Sequence, residues 1–288
     1  MDATLEQLFG QLRPKLHRYC ARMTGSVIDG EDVVQEALVK ALEALPRAGV
    51  LANPEGWLFR IAHNTALDFL RRRARHAAAF ADDENLELIA DPTDPGRDTF
   101  ATIASLQTFM RLPTAQRSAV ILVDVLGYTL AELGEIAGGS ILKSALQRGR
   151  ARLRELASEP DAVPPPILTA LERARLLEYA SRFNARDFDA VRDMLADDVR
   201  LDLVNRLRAR GKAEVGDYFH RYSRSTDWRC VAGFVDGRPA ILMVDPEDES
   251  GGPLYFVLLD WAEGRVVTIR DFRFARYALD GADIKSLG

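Results

Sequence analysis

Hydrophobic residues recur at helical spacing in the first half of the chain and alternate with polar residues in the second half. In residues 5–76 and 105–157 they return every three or four positions, which predicts two sets of helices. Two prolines and a glycine in residues 46–54 predict a loop inside the first set. Helical spacing continues from Ile167 to Leu195, with a break near residues 184–187. The first half is therefore expected to contain helices and no strands, apart from its loops and linkers.

Short runs rich in β-branched and aromatic residues follow, and turn residues join them in pairs. Asp236-Gly237 is a strong hairpin signal, and residues 262–264 are a second one. Helices followed by antiparallel hairpins are typical of an α+β domain. The expected fold is therefore multidomain, with two all-α domains and one α+β domain. The predicted strands are residues 199–204, 228–235, 239–244, 254–261 and 265–274.

Two segments of biased composition separate these domains. Residues 77–104 are acidic and contain two prolines and a glycine, so we expect an extended linker. Residues 158–166 contain four prolines, which a helix cannot cross, so we expect a stiff spacer. The predicted domains are residues 1–76, 105–157 and 167–288.

Composition is that of an ordinary soluble globular protein, with 288 residues, of which 47% are hydrophobic and 28% are charged. No apolar run reaches the roughly 18 residues of a membrane helix, and the N-terminus lacks a signal-peptide pattern. Cys20 and Cys230 lie far apart and follow no metal-binding spacing. We therefore expect a cytoplasmic protein with buried thiols, no membrane contact, no metal and no cofactor.

The net charge of -5 argues against a protein that coats nucleic acid by bulk attraction. Charge is, however, distributed unevenly along the chain. Arginines cluster in residues 71–75, and a second basic cluster lies in residues 143–154. Between them, residues 82–98 carry seven acidic residues and one arginine. This pattern indicates two nucleic-acid contacts on either side of a segment that avoids DNA. The alternative is that both clusters are solvated helix faces.

The first helical domain contains a helix with two distinct faces. Asp29 is a suitable N-cap for the helix that starts near it. In the next helix, residues 57–75, apolar residues follow one face, and Arg60, Asn64, Arg71 and Arg75 follow another. Guanidinium groups bind phosphates and an amide can bind a base edge, so this face suits a DNA strand. By spacing alone, a solvated arginine face is the slightly favoured interpretation.

Two sequence motifs of this domain resemble region 2 of the extracytoplasmic-function (ECF) sigma factors, members of the sigma-70 family. Residues 32–38 read DVVQEAL and residues 57–73 read WLFRIAHNTALDFLRRR. The likeness covers about residues 5–75. It implies that three residues dock on the β′ clamp helices of core RNA polymerase: Asp32, Gln35 and Glu36. It implies that a second set contacts and opens the −10 element of promoter DNA: Arg60, Asn64, Arg71, Arg72 and Arg75.

The second helical domain has the pattern of a helix-turn-helix. A predicted helix over residues 112–127 ends at a glycine, and Thr129 and Glu132 form a capping-box pair. Gly138-Gly139 predicts a turn, after which Ser140 caps a basic last helix. The segment resembles sigma region 4, which implies contact with the β flap of polymerase and readout of the −35 element by Ser140, Lys143, Gln147, Arg150 and Arg154. The turn is two residues shorter than the family pattern, so we expect altered −35 recognition; the alternative is a helical hairpin without DNA contact.

Residues 167–276 resemble the SnoaL-like domain, which has the nuclear transport factor 2-like cone fold. Such cones enclose a pocket, which five residues here are candidates to line: Tyr218, His220, Trp228, Trp261 and Asp271. Asp271 shares a strand face with Val267 and Ile269, so its carboxyl group is expected in an apolar setting with a raised pKa, as a general base requires. The alternative is that Asp271 pairs with a nearby arginine (Arg238, Arg270 or Arg273) or lies at the pocket mouth.

These features together predict a sigma factor that directs promoter-specific transcription initiation and is not an enzyme. The resemblance implies that the C-terminal domain is a fused regulator in contact with the two sigma domains. One alternative is a sigma-derived regulator whose C-terminal domain senses or converts a small molecule. Another is a DNA-binding module that no longer engages polymerase.

Overall fold

The chain folds into two compact units, Met1–Ala162 and Val163–Gly288. The structure, a computed structural model, describes residues 3–78, 100–138, 142–156, 159, 167–224, 227–248 and 251–287. The first unit is helical throughout these residues and the second combines helices with one sheet, which confirms the expected fold class. Within them, none of the helices combines the length and apolar character needed to traverse a bilayer.

The described residues of the first unit form eight α-helices, and a π-helical turn, Ile121–Val125, follows the sixth. The loop expected at residues 46–54 is shorter, because the second helix continues past Pro46. The last residues of the predicted linker, residues 77–104, form a short helix that starts at Phe100. Residues 79–99 of that linker lie outside the described residues. The helices are α1 Ala3–Thr24, α2 Val27–Ala48, α3 Pro54–Ala78, α4 Phe100–Ile103, α5 Leu106–Met110, α6 Thr114–Val120, α7 Leu130–Ala137 and α8 Leu142–Leu156.

Of the two predicted N-caps at α7 and α2, the first is confirmed and the second is not. Thr129 and Glu132 form the capping box of α7, with the Thr129 amide donating to the Glu132 carboxylate at 2.8 Å, as expected. The prediction that Asp29 caps α2 is wrong. The Ser26 hydroxyl accepts hydrogen bonds from the amides of Ile28 and Asp29, so the helix begins at Val27 and Asp29 lies in its first turn.

One hydrophobic core joins the two predicted helical domains. Tyr19 and Phe59 from the first set lie in the same buried cluster as Phe109, Leu122 and Leu146 from the second. Buried Arg117 of α6 reinforces the junction. Its guanidinium donates to the carbonyl oxygens of Met23 in α1 (2.7 Å) and of Met110 and Leu112 (3.1 and 2.9 Å). The two helical sets therefore form a single packed body.

In the part of the second unit that the structure describes, three α-helices pack against a seven-stranded sheet of order β2-β1-β6-β5-β4-β3-β7. The sheet is mixed and not purely antiparallel as expected, because β1 and β6 run parallel. Both predicted hairpins are present, with Asp236-Gly237 and Glu263-Gly264 at positive φ. The elements are α9 Ala170–Asn184, α10 Phe188–Asp193, α11 Lys212–Ser223, β1 Leu195–Leu203, β2 Leu207–Arg210, β3 Arg229–Val235, β4 Arg238–Val244, β5 Pro253–Ala262, β6 Arg265–Asp271 and β7 Ile284–Ser286.

Aromatic side chains fill the space between helices and sheet in this unit. Phe183 of α9 lies at the centre, with its ring centroid 5.1 Å from those of both Tyr222 and Trp228. Edge-to-face geometry of this kind adds to the free energy of burial. The packing fixes α11 beside the inner sheet face, where the cavity described below opens.

Candidate nucleic-acid interface and ligand cavity

Helix α3 separates a buried face from an exposed basic face. The amide of Gly56 donates to the Asn53 side chain at 2.9 Å, which helps to fix the helix start. Leu58 and Ala62 are fully buried, whereas Arg60 and Asn64 are exposed. All five residues predicted to contact the −10 element are exposed on this helix: Arg60, Asn64, Arg71, Arg72 and Arg75.

The predicted polymerase contacts lie on α2, close to this basic face. Asp32 is exposed, and half-buried Gln35 donates to Glu31 at 3.4 Å. Glu36 accepts from Arg72 of α3 at 2.8 Å and pairs with Lys40 at 2.8 Å. The hydrogen bond from Arg72 is the main cause that lowers the pKa of Glu36. One surface ion pair therefore joins a predicted polymerase contact to a predicted DNA contact.

Helix α8 exposes part of the predicted −35 face. Lys143 and Arg154 are exposed and Gln147 is half-buried. Ser140 and the shortened turn lie outside the described residues, so their predicted roles stay predictions.

Arg150 does not belong to that exposed face, which corrects the prediction. Only 5% of the residue is exposed, and its guanidinium donates to the Asp124 carboxylate at 2.9 and 2.6 Å. The cause is the close approach of α8 to α6 at Gly149, where an added Cβ would lie 2.7 Å from Val120. That approach places Arg150 against the π-helical turn, which carries Asp124.

A polar cluster in the first unit joins the two helical sets, and no motif or spacing predicted it. Glu55 of α3 accepts hydrogen bonds from Lys15 of α1 and from the Tyr128 hydroxyl, both at 2.5 Å. Burial raises the pKa of Glu55, but these two hydrogen bonds outweigh burial and lower it overall. The Lys15 ammonium lies 4.0 Å from the Tyr128 ring centroid, and the Tyr128 ring packs on Phe59.

The second unit contains a cavity of about 450 Å³ between α11 and the sheet. Its base is Asp271, which has no exposed surface and accepts hydrogen bonds from the hydroxyls of Tyr218 (2.9 Å) and Tyr222 (2.7 Å) and from the Arg273 amide (2.7 Å). Burial raises the pKa of Asp271, while the hydrogen bonds from these groups oppose that rise. Leu201 and Leu203 form part of the apolar wall.

Two of the five predicted pocket residues, Tyr218 and Asp271, line this cavity. His220 is exposed on the opposite side of α11, and Trp228 packs in the core on Tyr222. Trp261 lines a separate cavity of about 350 Å³. The predictions for these three residues are therefore wrong.

The other lining residues, and the partners of the buried carboxyl group, differ from expectation. Tyr222 and Arg273 line the cavity without having been predicted. Asp271 takes hydroxyl partners, whereas Arg270 lies 3.6 Å from Asp202. Among the described residues no group of three or more His, Cys, Asp or Glu could hold a metal ion, and both cysteines are buried free thiols.

The helical unit, with its exposed arginine and asparagine face, has the features of a bacterial initiation factor. Residues 8–76 match the family model of sigma-70 region 2, which defines the class. The chain is 34% identical over 153 residues to the ECF RNA polymerase sigma factor SigM of Mycobacterium tuberculosis, covering 52% of this chain and 76% of SigM. It belongs to the ECF RNA polymerase sigma factors, which act in transcription initiation.

Two further relatives cover most of the chain. The ECF sigma factor SigG of Mycobacterium tuberculosis is 28% identical over 286 residues, covering 88% of this chain and 77% of SigG. The crystal structure of the Mycobacterium tuberculosis ECF sigma factor SigJ covers 93% of this chain and 95% of SigJ, with 21% identity and a TM-score of 0.36. A likeness this loose carries no conclusion about the second unit, whose SnoaL-like character stays a prediction.

Proposed function

We propose that this ECF sigma factor binds core polymerase through α2, opens the −10 element with α3 and reads the −35 element with α8. The observation that carries the proposal is the α3 surface, where Arg60 and Asn64 are exposed while Leu58 and Ala62 are buried. Guanidinium groups suit phosphates and an amide suits a base edge on an unpaired strand. Holding an extruded base requires such a surface, because unstacking costs a few kcal/mol.

Polymerase binding is assigned to Asp32, Gln35 and Glu36. An exposed ion pair such as Glu36–Arg72 contributes about 0–1 kcal/mol, so a charged residue of the β′ clamp helices can replace Arg72 at little cost. The same exchange would release Arg72 toward DNA. Contact with the polymerase places this function in the cytoplasm.

The −35 contacts are assigned to Lys143, Gln147 and Arg154. Ser140 is the proposed N-cap of the last helix of this domain. The β flap of polymerase is the proposed partner of the same domain. Arg150 is assigned a different role from the one expected. Through Asp124 it fixes α8 against the π-helical turn, so it is a positioning residue.

The packed state of the first unit must open before both promoter elements are read. Centres 25 base pairs apart lie on the order of 85 Å apart along duplex DNA, at about 3.4 Å per base pair. A compact body of roughly 160 residues has a radius of gyration of about 15 Å. Helices that share one core therefore cannot occupy both elements. The Lys15–Glu55–Tyr128 cluster is proposed as a latch on the closed state.

The C-terminal unit is proposed as a fused regulator without enzymatic activity, acting by intramolecular contact with the sigma part. The likeness to SigG over 88% of the chain supports a role for the extension within sigma function. The proposed route of control is the proline-rich segment, residues 158–166, which joins the two parts in the sequence.

The direct test is transcription in vitro with core polymerase on fragmented genomic DNA, with mapping of transcript 5′ ends. Full-length protein is compared with chains ending near Ser158 and near residue 276. Promoter-specific initiation by at least one version is expected, and its absence from all three would refute the assignment. Equal activity of all three would refute the regulatory role of the extension.

A second candidate function, small-molecule sensing by the C-terminal unit, is favoured by the cavity above Asp271. Its volume of about 450 Å³ lies within the roughly 300–1,000 Å³ of small-molecule sites. Leu201 and Leu203 suit an apolar body and Arg273 suits an acidic group. Binding of the fluorescent anion 8-anilinonaphthalene-1-sulfonate to the full chain should be lost in L203W, which fills the cavity, and weakened in R273Q. Unchanged binding in both variants would eliminate this candidate.

A further inference from the structure

The outer face of one sheet edge in the second unit carries four arginines on three adjacent strands. Strands β2, β1 and β6 are neighbours, and their registers align side chains across the three strands. Six residues form two rows: Arg210–Arg200–Thr268 and Arg208–Asp202–Arg270. Strand and residue spacings make this grid about 10 by 7 Å. We call it the arginine grid.

The arginine grid faces away from the cavity. Successive side chains of a strand point to opposite faces, and the β1 residues Leu201 and Leu203 are buried on the cavity side. Arg200 is therefore on the outer face, where it is exposed. The Arg208 side chain is 75% exposed, whereas Arg270 is largely covered.

Charge within the grid is unbalanced. Asp202 is its one carboxylate, with Arg208 Nε 3.6 Å from one oxygen and Arg270 Nε 3.6 Å from the other. Arg200 and Arg210 are direct cross-strand partners. Like charges in that arrangement destabilise a sheet. The protein thus places two cations side by side where an anion could bridge them, in a chain of net charge -5.

Protection of the sheet edge does not explain the whole arrangement. β2 is an edge strand, and charged residues on an edge strand prevent pairing with other chains. That accounts for Arg208 and Arg210. Arg200 lies on the second strand and Arg270 on the third, and neither strand is an edge. Arg270 is largely covered and lies beside Asp202, whereas a role in binding accounts for the exposed Arg200 as well as for Arg208 and Arg210.

We propose that the arginine grid binds the phosphate backbone of duplex DNA without base specificity. Guanidinium groups match phosphate oxygens in bidentate geometry, and duplex DNA presents one negative charge per roughly 1.7 Å. The proposal goes beyond the function argued above, which gives DNA contacts to α3 and α8 only. It adds a sequence-independent contact from the extension, so that the regulator itself touches the template.

The test measures binding of full-length protein to a fluorescein-labelled 30-base-pair duplex of random sequence, by anisotropy between 50 and 200 mM KCl, without polymerase. The variant is R200Q/R210Q. The matched control is R224Q/R229Q, which removes two exposed arginines elsewhere in the same unit. R200Q/R210Q should bind about tenfold more weakly at 50 mM KCl, and the slope of log K against log salt should fall by about 1.8, or 0.9 per contact. The control should change little.

Equal losses in both variants, or a loss in neither, would overturn the proposal. A labelled poly-L-glutamate probe separates the remaining class of partner. If R200Q/R210Q loses binding to poly-L-glutamate but keeps its affinity for DNA, the grid binds acidic polypeptide and the assignment to DNA is wrong. Thermal unfolding checks the fold, and R200Q/R210Q should unfold no earlier than wild type because a like-charge pair is removed. Failure of the sigma assignment would be seen separately, in transcription with polymerase.

Discussion

The guanidinium of Arg150 in α8 is held by both oxygens of the Asp124 carboxylate in the π-helical turn after α6. The side chains of Arg150 and Asp124 are 7% and 0% exposed, so water cannot replace either partner. A buried pair of this kind adds little net stability, but removal of one partner leaves an uncompensated charge. Its role is to fix the position of α8 on the rest of the unit.

Replacement of Asp124 by Ala should lower the free energy of unfolding by about 3–5 kcal/mol, because Arg150 is left buried and unneutralised. D124L/R150M should recover most of that loss, since an apolar pair fills similar space without charge. Urea unfolding followed by circular dichroism measures both. R154M on the exposed side of α8 is the control and should change stability by less than about 0.5 kcal/mol. A D124A loss below about 1 kcal/mol would contradict the buried-pair account.

A covalent lock on the closed first unit should abolish initiation. The tips of the Asn53 and Glu135 side chains, Nδ2 and Oε2, lie 3.4 Å apart across the two helical sets. Thiols at these positions in N53C/E135C can therefore be bridged by a short bis-maleimide that contains a cleavable disulfide. Cys20 and Cys230 are buried and should not compete. Transcription should be lost on cross-linking and return with dithiothreitol.

The single variant N53C controls for loss of the hydrogen bond from Gly56. Gel mobility under non-reducing conditions confirms the cross-link. Full activity of the cross-linked protein would show that the sets need not separate.

Substitutions on the α3 surface and on the α2 surface should cause two different defects. N64A should keep core polymerase binding but open the promoter about tenfold less or worse, because a base contact contributes roughly 1–3 kcal/mol. D32A/E36A should weaken binding to core polymerase. Permanganate footprinting reports opening and a pull-down with core polymerase reports binding. E43A, exposed on α2, is the control; a binding defect in N64A would contradict its assignment to DNA.

His63 should make the first unit sensitive to mild acid. Its Nδ1 lies 2.6 Å from the Tyr19 hydroxyl, and burial lowers its pKa to about 4. The unfolded chain takes up a proton near pH 6.5 and the folded chain only near pH 4, so stability is complete above pH 6.5 and falls as the pH drops toward 4. Between pH 7.5 and 4.5, wild type should lose about 2–3 kcal/mol more than H63Q in urea unfolding. Parallel losses in the two proteins would rule out His63 as the cause.

The fold was predictable where local chemistry is explicit. The glycine after Asp236 and the capping pair of Thr129 with Glu132 fixed their turn and helix start without help from the rest of the chain. The α2 start was misplaced because Ser26 and Asp29 both suit a cap, and only the backbone decides between them. The sharing of one core by two helical sets could not be read from either set, since each has a satisfactory apolar face.

The candidate site was less predictable because helix α11 was not predicted. Once α11 is known, Tyr218 and Tyr222, four residues apart, must share the inner face while His220 points away. The prediction that Arg150 lies on the exposed face of α8 was wrong for another reason. Its spacing from Gln147 and Arg154 suits a common face, and only the close packing of α8 at Gly149 covers it.

The common core of the first unit affects the concentration of the factor that is needed to bind polymerase. If polymerase binds only the open form, its apparent affinity is the intrinsic affinity multiplied by the small fraction of molecules that are open. Every 1.4 kcal/mol of packing, such as that between Phe59 and Tyr128, then raises tenfold the concentration at which the factor captures polymerase. The interior of this protein would thus set its threshold for switching on genes, and a looser core would make a more active factor.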